Sequence, residues 1–240
     1  MKFYKAIFPF VTVMVTFLFS CQQSSVKELS REEKRDAVLK NIKAPEISTH
    51  ILKLTDFGGK GDSITNNKPA FDKAMQVSKV KGGAKIVVSA GIYIVNGPIR
   101  FVDNTTLELQ KGAKLIFGTN AKDYLPVVPT SWEGTFIHNY SPLIYAYQVK
   151  NVAIIGEGTI DGNGKDGFSK WYDLQKPSQA LSRKMNHEGT PVKERIFGEG
   201  HYLRPHLIQF YDCKNILIEG VTIANSPFWS VHFLKSENIT

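Results

Sequence analysis

Cysteine is scarce in this sequence, with Cys21 and Cys213 the two examples among 240 residues. If Cys21 is lipidated, as argued below, no intramolecular disulfide can form, although an exported protein could hold one. Cys213 follows apolar and aromatic residues, which indicates a packed, buried thiol. A phosphate loop is also missing, because the glycine-rich segment 58–61 is not followed by Gly-Lys-Ser/Thr at the required spacing. This segment is therefore interpreted as a backbone turn.

The N-terminus has the pattern of an export signal. Lys2 and Lys5 precede an uncharged, mostly apolar run over residues 6–20, which is short for a permanent spanning helix. Residues 18–21, Leu-Phe-Ser-Cys, resemble a bacterial lipobox. We therefore predict a lipoprotein signal peptide over residues 1–20, lipidation at Cys21, and anchoring to a membrane that the chain does not cross. The alternative is an ordinary signal peptide with an incidental cysteine.

These features predict an exported protein held by lipid at the bacterial cell envelope, in the outer membrane or periplasm. The formal net charge is +8, and loss of the two signal-peptide lysines lowers it to about +6. A basic surface suits a polyanion. Nucleic acid is one such partner, but export argues against it.

The remaining sequence divides into a polar, charge-rich tether at residues 21–50, with room for one short helix, and a folded domain at residues 51–240. The domain begins with one predicted helix. Asn66 or Asn67 can cap it, Pro69 suits its first turn, and glycines 82 and 83 end it. Its apolar face is expected to cover one end of a core and consists of Ala70, Phe71, Ala74, Met75 and Ser78.

After this helix the chain changes to short β-type runs, at residues 85–88, 92–95, 106–109 and 114–117, and no further long helical period appears. Residues 143–154 match residues 207–218 without a gap, and a third copy covers residues 231–240. The copies share an asparagine, at Asn151, Asn215 and Asn238, with a weaker copy around Asn104.

A repeat of about 20 to 25 residues without intervening helices predicts an all-β solenoid, a parallel β-helix, with one N-terminal capping helix. Leucine-rich repeats share the period, but their signature is missing. The repeating asparagine is interpreted as a turn residue whose amide bonds to the backbone.

Two segments interrupt the repeat, at about residues 118–142 and 162–205. Segments this long outside regular structure are commonly functional. Both carry aromatic residues of the kind that stack on sugars. We expect them either to wall a groove or to cover one side of the solenoid. The aromatic residues are Trp132, Phe136, Tyr140, Phe168, Trp171, Tyr172 and Tyr202.

Several sequence blocks resemble pectin-active β-helix enzymes. They are residues 54–62 (Leu-Thr-Asp-Phe-Gly-Gly-Lys-Gly-Asp), 91–99 (Gly-Ile-Tyr and Gly-Pro-Ile), 158–172 (Gly-Thr-Ile-Asp-Gly-Asn-Gly with Trp-Tyr), 204–208 (Arg-Pro-His-Leu-Ile) and 225–232 (Asn-Ser-Pro-Phe-Trp-Ser-Val-His). The last two are the specific ones. The chain resembles the N-terminal portion of bacterial glycoside hydrolases of family 28, of the polygalacturonase or exo-polygalacturonosidase type. This resemblance implies a right-handed, single-stranded, pectin lyase-like solenoid.

The resemblance also implies inverting hydrolysis of α-linked galacturonide or rhamnogalacturonan, and an anionic pectin polysaccharide as the partner. The family's catalytic aspartates lie in Asn-Thr-Asp and Asp-Asp blocks, followed by Gly-His-Gly and Arg-x-Lys blocks. None of these four occurs here. In family order they would follow residue 240, so no catalytic residue is assigned, and we expect these 240 residues alone to be inactive. Asp161 is interpreted as a turn residue.

Arg204, Trp229 and His232 are the candidate substrate-binding residues. A guanidinium can hold a sugar carboxylate, and a tryptophan can stack on a sugar ring. For Trp229 and His232 the alternatives are a packed corner aromatic and a hydrogen-bonded structural histidine. We expect no cofactor, no metal and a monomer. Two other functions stay open: a non-catalytic glycan-binding surface solenoid or inactive fragment, and a polysaccharide lyase on the same fold.

Overall fold

The computed structural model describes residues 28–240. They belong to two compact units, one ending at Lys40 and one that runs from Asn41 to Thr240. In the first unit begins helix α1 (Arg31–Asn41), which has no buried residue. Ser30 and Glu33 start it with a reciprocal capping box: each side chain accepts a hydrogen bond from the other's backbone N–H, at 3.1 and 2.7 Å. This is the short helix for which the predicted tether had room.

The second unit is built of short strands. Its strands are β1 (Ile51–Lys53), β2 (Asp62–Asn66), β3 (Ala84–Val88), β4 (Gly91–Val95), β5 (Ile99–Arg100), β6 (Thr105–Leu109), β7 (Ala113–Phe117), β8 (Val128–Trp132), β9 (Thr135–Asn139), β10 (Ile144–Tyr147), β11 (Lys150–Gly156), β12 (Thr159–Asp161), β13 (Ile196–Phe197), β14 (Ile208–Tyr211), β15 (Lys214–Glu219), β16 (Thr222–Ala224), β17 (Val231–Leu234) and β18 (Glu237–Ile239). The predicted β-type runs correspond to β3, β4, β6 and β7.

Three parallel sheets form the walls of the solenoid. Sheet 1 has the strand order β1-β3-β6-β11-β15-β18, sheet 2 the order β2-β4-β7-β12-β16, and sheet 3 the order β5-β10-β14-β17. From β3 onward each full turn of the chain contributes one strand to each sheet, so neighbouring strands within a sheet come from successive coils; the first coil supplies only β1 and β2. This is the architecture of a parallel β-helix.

The strand register follows the sequence repeat. Ile144 pairs with Ile208 and Lys150 with Lys214, an offset of 64 residues in both sheets. Between the next two coils Ile208 pairs with Val231, an offset of 23. The gapless match of residues 143–154 with residues 207–218 therefore reports which residues stack on one another.

The repeating asparagines form a ladder along one edge of sheet 1. Each has a positive φ, between 55° and 59°, which confirms the turn assignment. The predicted amide partner was wrong for most of them. Asn151, Asn215 and Asn238 each donate through Nδ2 to the Oδ1 of the asparagine one coil earlier, at 2.7–2.9 Å. Only Asn104 donates to backbone, at the Gly82 carbonyl. Equivalent turns stacked at the strand spacing bring the amides closer to each other than to a free carbonyl.

The solenoid encloses a continuous apolar core, and helix α2 (Lys68–Val80) covers its first coil. All five residues of the predicted apolar face of α2 are buried. Pro69 lies in the first turn as expected, and the Asn66 Oδ1 accepts from the Lys68 N–H. Gly82, with φ 75°, follows the helix end. Cys213 is a free, buried thiol, as predicted.

The two interruptions are not irregular loops. Residues 118–142 form the antiparallel hairpin β8–β9, and residues 162–205 contain helix α3 (Lys176–His187) and strand β13, which pairs in parallel with β9. We call these two segments together the side module. They bury a separate apolar cluster of Trp132, Ile137, Phe197 and Leu203. Hydrophobic periodicity does not predict α3, because its buried residues are the serines Ser178 and Ser182 rather than an apolar stripe.

Candidate functional site

The outer face of sheet 3 brings the candidate residues together. Along β14 the side chains of Ile208 and Phe210 enter the core, and that of Gln209 points outward. His232 pairs with Gln209 on the neighbouring strand and therefore faces outward too. Arg204 and Trp229 lie in the segments that precede β14 and β17. Both segments approach the same edge of a parallel sheet: Trp229 contacts His232 directly, and Arg204 contacts Phe228, the neighbour of Trp229.

Four rings form the centre of this site, which we call the ring cluster: His206, Phe228, Trp229 and His232. The ring of His206 lies 4.4 Å from that of His232 and 5.2 Å from that of Phe228. Trp229 meets His232 edge to face at 4.7 Å and stacks beside Phe228 at 5.5 Å. The Asn-Ser-Pro-Phe-Trp block thus folds so that Trp229 adjoins His232, three residues later, and Phe228 adjoins His206.

Arg204 lies at the border of the ring cluster. Its guanidinium carbon is 4.9 Å from the centre of the Phe228 ring and 5.3 Å from that of Tyr172. Its Nε donates to Gln175 at 2.9 Å, and Nη1 donates to the Pro227 carbonyl at 3.0 Å. A guanidinium has five N–H donors, so these two bonds fix its plane and leave donors for an anion.

Burial favours the neutral form of both histidines of the ring cluster. His206 is 2% exposed, and burial lowers its pKa to about 3. Its Nε2 lies 2.9 Å from the Ser131 carbonyl, and its Nδ1 has no partner among the described residues. Burial also lowers the pKa of His232, which is 9% exposed. The Nδ1 of His232 lies 2.8 Å from the Nε2 of Gln209.

The side module supports this site from one side. The Trp132 ring stacks on the Phe228 ring, with 5.0 Å between the ring centres and an angle of 10° between the ring planes. Its Nε1 donates to the Arg204 carbonyl. Thr130 donates from Oγ1 to the Oε1 of Gln209 at 2.8 Å. The hairpin β8–β9 thus borders the ring cluster, as the groove hypothesis requires.

Several of the aromatic residues proposed to stack on sugars are unsuited to that role. Trp132, Tyr140 and Phe168 are at most 4% exposed, because they join the side module to the solenoid or fill its own cluster. Tyr172, at 61%, and Trp229, at 43%, are open to solvent. Aromatic residue type alone could not separate the two groups, since burial depends on how the two insertions pack.

Asp161 is engaged in structural contacts. Its Oδ1 accepts from the Asn163 N–H and from Asn225 Nδ2, both at 2.9 Å, and its Oδ2 pairs with Lys114 at 2.8 Å. Burial alone would raise the pKa of this carboxyl, but the hydrogen bonds from Lys114, Asn163 and Asn225 outweigh it, so the pKa is lowered. These contacts fit the turn role expected from the sequence.

Other sites are sparse in the described part of the chain. A cavity of about 460 Å³ lies between the end of α2 and the sheet 1 turn, lined in part by Lys79, Phe101 and Asp103, and shares no residue with the ring cluster. Residues 28–240 hold no group of three or more His, Cys, Asp or Glu side chains arranged for a metal ion. None of the helices in this range has both the length and the apolar character needed to cross a membrane. The predicted signal peptide and Cys21 lie outside the described residues.

Sequence reasoning did not identify Thr130, Gln209, His206 or Phe228 as parts of the site. Gln209 could have been found, because the repeat aligns it with His232 on the same sheet face. Thr130 had no such signal, since its position depends on the fold of the side module.

Comparison with known proteins gives a consistent picture. Residues 51–109 match the family described as rhamnogalacturonase A/epimerase, pectate lyase-like. A hyperthermoactive exopolygalacturonase from Thermotoga maritima superposes with a TM-score of 0.83 at 36% identity, over 87% of this chain and 49% of that one. A probable polygalacturonase from Vitis vinifera is 29% identical over 88% of this chain and 40% of its own length. An exo-poly-alpha-D-galacturonosidase from Dickeya chrysanthemi is 28% identical over 79% and 35%, respectively.

The chain therefore spans between about a third and a half of the length of these relatives. Within that span, the right-handed, single-stranded parallel β-helix with its capping helix is confirmed. The resemblance to polygalacturonases identified from the sequence blocks is confirmed as well: this chain is a homologue of polygalacturonases and has a pectin lyase-like fold.

Proposed function

We propose that this protein is a glycoside hydrolase that acts on pectin-type polysaccharide, an α-linked galacturonide or a rhamnogalacturonan backbone, with inversion at the anomeric carbon. The names of the homologous polygalacturonases support the reaction class. The observation that carries the proposal is the series of contacts from Arg204 through Phe228 and Trp229 to His232 on the outer face of sheet 3.

Each of the three residues offers a contact that suits an acidic sugar. The spare N–H groups of Arg204 can bind a carboxylate. The exposed ring of Trp229 offers an apolar face to a pyranose. His232 adds a nitrogen at the base of the same surface. Together they favour an anionic sugar over a neutral one, because the guanidinium is the charged member of the set.

The chemistry itself needs two carboxyl groups. Inverting hydrolysis uses one carboxylic acid to protonate the leaving oxygen and a carboxylate on the opposite side to activate water. The four sequence blocks that carry these groups in the family do not occur in these 240 residues, and Asp161 is committed to Lys114, Asn163 and Asn225. We therefore assign substrate contact, and no catalytic residue, to this chain, and expect it to bind without hydrolysis.

A non-catalytic glycan-binding solenoid is the second candidate. The ring cluster favours it, because its four rings offer contacts to a sugar and none of its side chains is a carboxyl group. The two candidates differ in whether a longer form of the protein releases reducing ends from polygalacturonate.

Calorimetric titration of the full 240-residue chain with trigalacturonate tests the substrate class. Arg204→Lys keeps the charge but loses the planar fork, so we expect binding to weaken roughly 10-fold, equivalent to about 1.4 kcal/mol. Arg183→Lys is the matched control. Arg183 lies on the exposed side of α3 and pairs with Glu133, in the turn between β8 and β9. Equal affinity for a neutral galactose oligomer would contradict the proposal.

A longer form carrying the family's aspartate blocks tests the reaction. We expect new reducing ends without ultraviolet absorbance, and inversion of configuration at the released anomeric carbon. Unsaturated products that absorb in the ultraviolet, together with loss of activity in chelator, would instead identify a lyase.

We also propose that Cys21 carries lipid and holds the protein at a bacterial cell envelope. The apolar run before Cys21 and the Leu-Phe-Ser-Cys segment support this. Fatty-acid labelling of the wild type and of Cys21→Ala, with Cys213→Ala as the matched control, tests it. Labelling that persists in Cys21→Ala would refute the anchor.

A further inference from the structure

A chain of hydrogen bonds connects the side module to His232. Thr130, on β8, donates to the Oε1 of Gln209 at 2.8 Å, and the Nε2 of Gln209 lies 2.8 Å from the Nδ1 of His232. Gln209 is fully buried, and Thr130 is 3% exposed. A buried amide with a partner at each end has little freedom to rotate away from either of them.

The direction of this chain follows from the chemistry of its members. An amide oxygen accepts and an amide nitrogen donates. If the Thr130 hydroxyl occupies the oxygen, the Gln209 nitrogen must face His232 and donate to its Nδ1. The other acceptor near Thr130, the Ser131 carbonyl, lies at 3.4 Å and competes only weakly.

The tautomer of His232 then follows as well. A neutral imidazole has one N–H and one bare nitrogen, so a ring that accepts at Nδ1 carries its proton at Nε2. Burial lowers the pKa of His232 and so favours the neutral ring. No described residue accepts a hydrogen bond from its Nε2, and the ring meets the exposed Trp229 edge to face.

We propose that Thr130 and Gln209 are positioning residues, which fix His232 as an Nε2–H donor aimed at an acceptor oxygen of the sugar bound against Trp229. The sugar part rests on the proposed function. The part that concerns the tautomer stands on the protein alone. The role of the hairpin β8–β9 is then to orient a substrate contact on the solenoid, beyond bordering a groove.

His206 provides an internal reference. Its Nε2 lies 2.9 Å from the Ser131 carbonyl, which can only accept, so this ring must also carry its proton at Nε2. Thr130 and Ser131 therefore fix the tautomers of two adjacent histidines by different means. Thr130 acts on His232 through Gln209, and the Ser131 carbonyl accepts directly from His206. Changing Gln209 should release His232 and leave His206 as it was.

Long-range proton–nitrogen correlation spectra of the full chain, labelled with ¹⁵N-histidine, test the tautomer. We expect both rings to be Nε2–H forms in the wild type. Gln209→Met keeps the length of the side chain and removes both hydrogen bonds, so His232 should become a mixture while His206 does not change. Thr130→Val, a smaller change, should shift His232 in the same direction and guards against poor folding of the first variant.

Two outcomes would overturn the proposal that Thr130 and Gln209 fix the tautomer of His232. One is a wild-type His232 with its proton on Nδ1, which would mean that the Gln209 amide is reversed. The other is a His232 signal that both variants leave unchanged while the proteins stay folded.

Trigalacturonate titration in the same spectra tests the substrate part. We expect the Nε2 signal of His232 to move on binding, and Thr130→Val to weaken affinity roughly 2- to 3-fold, because only part of the population keeps the competent tautomer. Wild-type protein with the expected tautomer but no response to trigalacturonate would refute the proposed substrate. The role of Thr130 and Gln209 in fixing the tautomer of His232 would not be affected by that result.

Discussion

The solenoid and the side module bury apolar surface in different ways. In the solenoid, equivalent side chains of successive coils stack in register, and the core is continuous from Leu54 to Ile216. In the side module, two segments distant in sequence meet to enclose a small separate cluster around Trp132 and Ile137. The solenoid repeats the same packing of side chains at every coil, whereas the packing in the side module occurs once and is not repeated.

This difference separates two structural roles. The solenoid places Gln209 and His232 side by side, because residues at equivalent repeat positions must pair. The side module determines how those side chains are used, through the contacts of Thr130 with Gln209 and of Trp132 with Phe228. The stacking of the solenoid thus determines where Gln209 and His232 lie, and the side module determines how their side chains are oriented.

The largest expected effect comes from a cavity in the solenoid. Ile154 is fully buried and lies between Leu107 and Ile218 of the adjacent coils. Ladders on both sides prevent these coils from closing the gap, so Ile154→Ala should cost about 4–5 kcal/mol of unfolding free energy, the upper part of the usual range. Chemical denaturation of the full chain measures this cost.

A matched substitution in the side module should cost less. Ile137 is also fully buried, but it belongs to the small cluster at the surface. Its neighbours can relax, so we expect Ile137→Ala to cost about 2–3 kcal/mol. Limited proteolysis should then cut within residues 118–142 before the solenoid unfolds. Equal costs and a single cooperative transition for both variants would mean that the two regions fold as one.

The same contrast decides what the sequence could predict. The repeat around Asn151 and Asn215 gave the β-helix and its strand register, because each coil must satisfy the coil beside it. The face of α2 was readable from its period. Helix α3 was not, since it buries serines, and the contact of Thr130 with Gln209 joins residues 79 apart that no pattern connects.

The asparagine ladder tests how much of the solenoid's regularity comes from its turns. Asn151 has φ 55° and takes part in ladder bonds to Asn104 and Asn215. Asn151→Ala should cost about 2 kcal/mol, because it combines a left-handed backbone with two lost hydrogen bonds. Asn151→Gly tolerates the same φ, so it should cost about 1 kcal/mol. Equal losses would assign the whole effect to the ladder bonds and none to the backbone.

The smallest effect is expected where the two regions join. Asp161 ends β12, directly before the second segment of the side module, and its pKa is lowered because hydrogen bonds from Lys114, Asn163 and Asn225 outweigh the effect of burial. A carboxyl with a lowered pKa in the folded state stabilises the fold fully above its unfolded value, about 3.9, and loses this contribution as the pH falls through the folded value. Asp161→Asn should therefore destabilise by about 1 kcal/mol at pH 7, and the difference from wild type should shrink as the pH falls below about 4. Denaturation midpoints from pH 7 to pH 3 measure this. A difference that does not change with pH would mean that Asp161 acts through its shape alone, and that its charge plays no part in joining the side module to the solenoid.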